Sequence, residues 1–392
     1  MYQFDSRKIK PGDIFICLPG GEPYIKEAKK NGAIDVVPMT RYEMAKLART
    51  KFNNPSGKLK VVGITGTNGK TSVSHFVYQA LTLLGKNSFV LGTLNSNLTT
   101  PESLDTVRLM SDHLNKKGTH FVMEVSSHAI KQGRVAEIDF SIRCLTNITQ
   151  DHLDYHGNFE DYEQTKLSFL HAKPGVSIGP SDFSEIKIPE NSNLLGEFNK
   201  QNLQATKAIL LELGYSEKKA NKVLSEVKSP PGRFEIIEGT QPFTVVVDYA
   251  HTPDSLRSVL NTARQCLPSK KARLLCLFGC GGDRDRSKRP LMTDAAFSFS
   301  DEVVITQDNP RSEDPKQIIA DILSGVPDKS ANYIIEENRF KAIETILKMA
   351  KKDDLVMIAG KGHETVQILN SGPIEFDDRE VVRKNLEILG FL

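Results

Sequence analysis

The chain has no charge of one sign to spare. Its 51 lysines and arginines offset 49 aspartates and glutamates, a net charge of +2 with histidine neutral. No strongly basic block stands out, which argues against nucleic acid or an anionic membrane surface as partner. A cysteine framework is missing too. Cys17, Cys144, Cys266, Cys276 and Cys280 form no C-x-x-C pair and no regular spacing, so reduced thiols in a cytoplasmic protein are expected. No stretch approaches the roughly 20 apolar residues of a membrane span, and the opening MYQFDSRKIKPGD has no apolar signal core. Internal repeats and low-complexity tracts are also absent.

What is present is ordinary globular composition, 39% hydrophobic and 26% charged, over 392 residues. That length predicts two or three domains. Short apolar runs recur: KLKVVGIT, HFVMEVSS, SIRCLTNIT, FTVVVDYAH, ARLLCLFGC, DEVVITQDN and DLVMIAGKG. Continuous runs of this kind suit strands buried on both faces of a parallel sheet. Between them, Val73, Phe76, Val77, Ala80, Leu81 and Leu84 repeat at helical spacing, with Gly85 as a stop. Residues 202–213 and 339–350 also read as helices. Strands alternating with helices predict α/β doubly wound sheets. Asn53-Asn54-Pro55-Ser56-Gly57 reads as a linker. Ser229-Pro230-Pro231-Gly232 reads as a break, because adjacent prolines cannot continue a helix. The predicted domains are 1–57, 58–230 and 231–392.

The stretch GITGTNGKT, from Gly63 to Thr71, has the parts of a phosphate cradle with unusual glycine spacing. The common loop reads G-x-x-x-x-G-K-[ST], which would place its first glycine at Ile64. A phosphate needs inward backbone N–H groups, glycines that permit the curvature, and a helix N-terminus behind them. Gly66 and Gly69 can supply the curvature around Thr67 and Asn68. Lys70 would reach the terminal phosphates, and the Thr71 hydroxyl would hold Mg²⁺. Nearly every other apolar run also ends in polar residues, as ligand sites in open α/β sheets require. A turn accounts for any one of these ends but poorly for the whole set. Glu124 ends one run, where a carboxylate can hold Mg²⁺ directly or through water; a solvated strand-end acid is the plainer reading. His152 is a weaker candidate of the same kind. On residue pattern alone, Lys166 is a helix-surface lysine.

The motifs GITGTNGKTS, TTPES, MEVSSHAIKQGRV, TNITQDHLDYHG, GEFNKQN, PGRFE, DYAHTPDSL, GCGGDRDRSKRP, DNPRSED and AGKGHE resemble, in this order, those of the Mur ligases. DSRKIKPGDIF is similar to part of the family's N-terminal domain. The family's own loop reads G-T-x-G-K-[ST], so the glycine spacing is a family trait. The resemblance implies a three-domain architecture: a small N-terminal α/β domain, a central P-loop-type ATPase with a parallel sheet, and a C-terminal Rossmann-like domain. It implies peptidoglycan precursor synthesis by an ATP-dependent ligase. A substrate carboxylate attacks the γ-phosphate, and an incoming amine then displaces phosphate from the acyl phosphate.

Residue by residue, the resemblance makes Gly66, Thr67, Asn68, Gly69, Lys70, Thr71, Asn199, Asn202, Arg233 and Asp248 the ATP site. It makes Lys70, Glu124, His152 and Lys166 catalytic, with Thr71, Glu124, His152 and Lys166 around Mg²⁺ and a carbamate on Lys166. Ser6, Thr99, Thr100, Ser126, Gln132 and Arg134 fall where the UDP-N-acetylmuramoyl dipeptide is held. Arg284, Asp308, Asn309, Arg311, Gly360 and Glu364 fall where the branch that adds meso-diaminopimelate holds that amino acid. Diaminopimelate differs from lysine by one carboxylate, which a guanidinium recognises bidentately. A monomer with no nucleic-acid or membrane partner is expected.

The chain departs from the family in length. The first domain is short between Leu18-Pro19-Gly20 and the linker, and the stretch 171–193 is abbreviated. Two alternatives therefore stand: a paralogue that joins another amine (lysine or a peptide) to a different carboxylate, and a non-catalytic ATP-binding regulator.

Overall fold

The computed structural model describes residues 1–149, 151–192, 194–327 and 332–391. Gln150, in the motif TNITQDHLDYHG, and Asn193, at the end of the abbreviated stretch, lie outside the described residues. The chain divides into two compact units, residues 1–190 with 202–227, and residues 191–201 with 228–392.

The first unit holds two parallel sheets. The smaller pairs Tyr2–Gln3, Ile14–Cys17 and Asp35–Pro38 in that order. The larger has the order Ser88–Leu91, His120–Glu124, Lys60–Thr65, Ile142–Leu145, Val176–Ile178, all parallel. The apolar runs read from sequence form its centre, and His120–Glu124 and Ile142–Leu145 are buried throughout. Lys60–Thr65 comes first in the chain yet lies in the middle. The chain moves to one side of it and later returns on the other, which opens a crevice at its carboxyl end. The two sheets share a core: Ile16, Met44 and Ala48 pack in one cluster with Leu104, Met110, Phe121 and Phe140. The N-terminal 57 residues therefore belong to this compact unit; of the stretch 53–57, Pro55 and Ser56 are buried and Asn53 and Gly57 exposed.

The helix Lys70–Leu83 follows the glycine loop and buries Val73, Phe76, Val77, Ala80 and Leu81. It ends as expected, with Leu84 as C-cap and Gly85 at φ 72° taking the left-handed turn. The predicted helix 202–213 begins earlier, as Glu197–Glu212.

The second unit has a six-stranded sheet in the order Tyr333–Ile335, Glu302–Ile305, Leu274–Phe278, Leu355–Ala359, Thr244–Asp248, Glu235–Ile236. Only the last pairing is antiparallel. Helices cover both faces, with two separate apolar clusters on its two sides, one around Leu256, Leu260 and Met292 and one around Ile343, Ile346 and Leu386. This is the Rossmann-like arrangement expected of residues 231–392, and a hairpin, Val366–Leu369 with Gly372–Glu375, is added to it.

Candidate active site

The three loop glycines have different jobs. Gly63 lies inside the strand Lys60–Thr65, where a Cβ would meet Phe140 at 2.5 Å and Phe169 at 2.8 Å. Its absence of side chain serves packing. Gly66 at φ 149° and Gly69 at φ 82° form the curved loop. A Cβ on Gly66 would meet Thr146 Oγ1 at 1.9 Å, and one on Gly69 would meet Asn202 Oδ1 at 2.5 Å. The loop is braced from the neighbouring strand end. Thr67 Oγ1 donates to the Thr149 carbonyl at 3.0 Å and lies 2.9 Å from the Tyr162 hydroxyl. The Asn68 amide donates to Asn147 Oδ1 at 3.0 Å, and Thr146 Oγ1 donates to the Asn68 carbonyl at 2.6 Å. These braces hold the loop in shape before any anion arrives, as a preorganised cradle requires.

Lys70 Nζ donates to the carbonyls of Gly66 at 2.7 Å and Thr67 at 2.8 Å. Lys166 Nζ donates to the same Gly66 carbonyl at 2.9 Å. Lys166 is 1% exposed, so the surface reading of this lysine is corrected. It sits on the helix Phe159–Leu170, whose N-cap Asn158 accepts from the Asp161 amide. Its ammonium lies 4.8 Å from the Tyr162 ring centre. Burial, then the nearby charge of Lys70, push its pKa down to about 6, against the opposing pull of Asp151. Burial thus favours the uncharged amine, the form able to act as a nucleophile.

Glu124 is 1% exposed at the end of its strand. One carboxylate oxygen accepts from the Thr71 hydroxyl at 3.0 Å and from the Thr93 hydroxyl at 3.2 Å; the other accepts from the Thr93 amide at 2.9 Å. Thr93 escaped the sequence reading, since it follows a short strand whose four residues gave no clear apolar run. His152 adopts φ 53°, packs its ring 4.9 Å from His128, and keeps 47% of its side chain exposed. Loss of water on the packed face pushes its pKa down to about 4; Asp151 opposes this, while His128, Lys70 and Lys166 reinforce it. Thr71 and Glu124 thus meet, and His152 lies within electrostatic reach of both lysines. Among the described residues no three His, Cys, Asp or Glu side chains form a metal cluster. Mg²⁺ does not need one, since it is held by one or two carboxylates plus substrate phosphates. The hydroxyl and carboxylate pair fits that ion.

Five of the residues expected around the dipeptide converge. Thr100 Oγ1 donates to the Glu124 carbonyl at 2.9 Å and accepts from the Ser126 amide at 3.0 Å. Arg134 donates to the Thr100 carbonyl at 3.0 Å and to Gln132 Oε1 at 2.6 Å. Thr99 Oγ1 is 3.1 Å from Thr93 Oγ1. Ser6 is engaged elsewhere: it is buried, its hydroxyl donates to Glu27 at 2.5 Å, and its carbonyl accepts from Asn31 at 2.9 Å.

In the second unit, the ends of three strands form one cluster. Arg311, at φ 53°, donates through Nη1 to the Gly282 carbonyl at 2.7 Å. Asn309 Nδ2 donates to Glu364 Oε2 at 2.8 Å, and a Cβ on Gly360 would meet Asp308 Oδ2 at 2.7 Å. Arg284 donates to the Asp283 carbonyl at 3.1 Å, in the loop that Ser312 joins through Asp283. Burial pushes the Asp308 carboxyl up, while Arg339 and Lys361 pull it down. Two guanidinium groups beside a carboxylate and an amide can receive a zwitterionic amino-acid centre.

The residues matched to the nucleotide's base and sugar are divided. Asn202 sits beside Gly69 in the first unit, and Asn199 belongs to the second, where its amide donates to the Leu195 carbonyl at 2.9 Å. Arg233 stacks 4.3 Å above the Tyr249 ring, and Asp248 accepts from the Phe234 and Ala250 amides at 2.6 and 2.7 Å.

A braced glycine loop on a parallel sheet, together with a doubly wound unit that carries a polar cluster at its strand ends, defines a phosphate-loop α/β protein. Residues 64–184 match the Mur ligase middle domain, and residues 232–362 match the Mur ligase, glutamate ligase domain. The chain belongs to the Mur ligase family. It is 38% identical to the UDP-N-acetylmuramoyl-L-alanyl-D-glutamate–2,6-diaminopimelate ligase of Syntrophomonas wolfei, covering 98% of this chain and 94% of that one. It is 37% identical to the same-named protein of Solibacter usitatus, covering 99% and 93%. A solved structure with that ligase name is 29% identical, with a TM-score of 0.62 and coverage of 100% and 95%. The MurF ligase of Thermotoga maritima in complex with ADP shares the fold at 18% identity, TM-score 0.66, covering 99% of this chain and 97% of that one. The Syntrophomonas alignment runs over 460 positions against 392 residues here, so that relative carries segments this chain lacks.

Proposed function

We propose that this protein is an ATP-dependent ligase that adds meso-diaminopimelate to UDP-N-acetylmuramoyl-L-alanyl-D-glutamate in peptidoglycan precursor synthesis. The observation that carries the reading is the strand-end cluster of Asp308, Asn309, Arg311 and Glu364, because it offers a cation to a carboxylate and an anion to an ammonium. Lysine has no second carboxylate and would leave Arg311 unpaired, which is a strong ground for rejection. The names of the relatives agree with this substrate.

The chemistry follows from the residues. Lys70 leaves its loop carbonyls to meet the terminal phosphates, and the helix Lys70–Leu83 turns its N-terminus toward the same anion. The dipeptide carboxylate attacks the γ-phosphorus and ADP leaves. The diaminopimelate amine then attacks the acyl carbon, loses a proton, and phosphate departs. Arg134, Thr100 and Ser126 orient the acceptor peptide, so that the two anions align. Thr71, Glu124, His152 and a carbamate on Lys166 would hold Mg²⁺, which neutralises charge on the phosphates. The carbamate is supported by the burial of Lys166 beside Lys70: an uncharged amine attacks CO₂, a proton is lost, and the neutral amine becomes an anion. Three domains, a monomeric state and a cytoplasmic location belong to the same proposal. No helix among the described residues is long and apolar enough to cross a membrane.

The experiment is phosphate release with ATP, the UDP-linked dipeptide and diaminopimelate, each omitted in turn. All three are required if the reading holds. Equal turnover with lysine would remove Arg311 from its assigned role. Two observations favour a second reading, a paralogue with another acceptor carrier: the chain lacks segments present in the Syntrophomonas relative, and the Ser6 hydroxyl donates to Glu27. Turnover with a muropeptide lacking UDP would select it.

A further inference from the structure

The cluster of the second unit rests on a cation that no part of the proposed chemistry uses. Lys361 is 0% exposed, and its Nζ donates to Asn309 Oδ1 at 3.1 Å, Glu364 Oε2 at 2.9 Å and the Val366 carbonyl at 2.6 Å. An ammonium has three N–H bonds and no acceptor, so this one is fully spent and has nothing left for a substrate. Both Asn309 and Glu364 take their geometry from it. Asn309 Oδ1 also accepts from the Ile368 amide at 2.9 Å. Two obligate donors therefore fix which end of the amide is oxygen, and the Nδ2 end must face Glu364. Glu364 Oε2 accepts from both Lys361 and Asn309. Among the described residues, Glu364 Oε1 and the second N–H of Asn309 remain without a hydrogen-bond partner. One acceptor and one donor, held side by side, match the ammonium and carboxylate of a single amino-acid centre.

We infer that Lys361 is a positioning residue that sets amino-acid specificity, by locking the Asn309 amide and presenting the second oxygen of Glu364 as an anion. This deepens the ligase reading and rests on it. Electrostatics act the same way. Burial raises the Glu364 carboxyl, but Lys361 by charge and hydrogen bond, with Asn309, holds it below the usual carboxylate range. His363, Tyr249, Asp308 and Arg339 also act on or feel this carboxylate. Removing Lys361 takes away the cation in direct contact, so the Glu364 pKa rises. The anionic form then persists only at higher pH.

The test is Lys361→Met assayed for each substrate across pH. The KM for diaminopimelate should rise on the order of tenfold or more, as loss of a charged hydrogen bond implies. The KM for ATP should rise less, since none of the residues matched to ATP is among the three acceptors of Lys361. The acid limb of the diaminopimelate KM should move to higher pH. Because an unpaired buried carboxylate can prevent folding, the double variant Lys361→Met, Glu364→Gln is measured beside Glu364→Gln alone. Because Lys361 acts through Glu364 as well as Asn309, adding Lys361→Met to Glu364→Gln should raise the KM for diaminopimelate by less than Lys361→Met does in the wild type. An unchanged KM in folded Lys361→Met, a parallel rise for all substrates, or a double variant weaker by the full product of the single effects overturns the inference. Wild-type protein inactive with diaminopimelate overturns the ligase reading instead, and this inference with it.

Discussion

Lys70 and Lys166 donate to one carbonyl oxygen, that of Gly66, at 2.7 and 2.9 Å. Burial first, and then the charge of Lys70 on the same acceptor, disfavour the ammonium form of Lys166. Its pKa of about 6 lies below that of a free lysine, so the amine is neutral above pH 6 and charged below it. In ¹³CO₂-bicarbonate, a carbamate resonance should therefore grow in as pH rises through about 6. Its absence in Lys166→Ala assigns it. Lys166→Ala should lose activity by about a hundredfold or more, as loss of a preorganised charge in a phosphate site implies. Short carboxylic acids should restore part of it by replacing the carbamate.

Glu124 is oriented by Thr71 and by both polar groups of Thr93. Glu124→Gln removes the anion and keeps the shape. The Mg²⁺ concentration for half-maximal activity should rise on the order of tenfold or more, the usual cost of losing an ion's carboxylate or its support. Thr93→Val should show the same effect in smaller degree, with an unchanged KM for diaminopimelate. Magnesium titrations of the two variants give the comparison.

Gly66→Ala is expected to abolish nucleotide binding. It forces a Cβ to 1.9 Å from Thr146 Oγ1 at a backbone angle that L-residues avoid. Gly63→Ala acts differently, since its contacts are the rings of Phe140 and Phe169. It should lower stability by about 1–3 kcal/mol through overpacking. Thermal melts with and without ATP separate the two cases: ATP should still raise the melting temperature of Gly63→Ala and leave that of Gly66→Ala unmoved.

The sequence made the sheet centres legible, because strands buried on both faces read as continuous apolar runs. Short strands such as Ser88–Leu91 and Tyr333–Ile335 were missed, since three or four residues carry no period. The loop was recognisable from its strand, glycines and lysine. The separate duty of Gly63 was not, because it depends on two rings distant in the chain. Lys166 is the plainest case: its helical neighbours mark no buried face strongly enough to predict that a lysine enters the core. Lys361 was hidden in the same way, inside a motif of buried and half-buried residues in which nothing local marks the lysine as the buried cation. Ionisable groups that are buried by long-range packing leave little trace in local pattern.

Arg339 and Asp378 are both fully buried and paired at 2.6 Å, and Arg339 also donates to the Ala359 and Gln307 carbonyls. The pair ties two strand ends of the second unit to its last helix. Asp378→Ala leaves the guanidinium uncompensated and should destabilise the protein by about 3–5 kcal/mol. Denaturant melts measure this directly. Arg339→Met, Asp378→Leu together should recover much of the loss, as replacing a whole buried pair often does.

The most direct test of the central claim follows oxygen. UDP-N-acetylmuramoyl-L-alanyl-D-glutamate labelled with ¹⁸O in its γ-carboxylate is incubated with ATP and diaminopimelate, and the products are weighed by mass spectrometry. One labelled oxygen should appear in the released phosphate for each amide formed with diaminopimelate. Amide formation without that transfer, or phosphate release with no diaminopimelate adduct, would contradict the account.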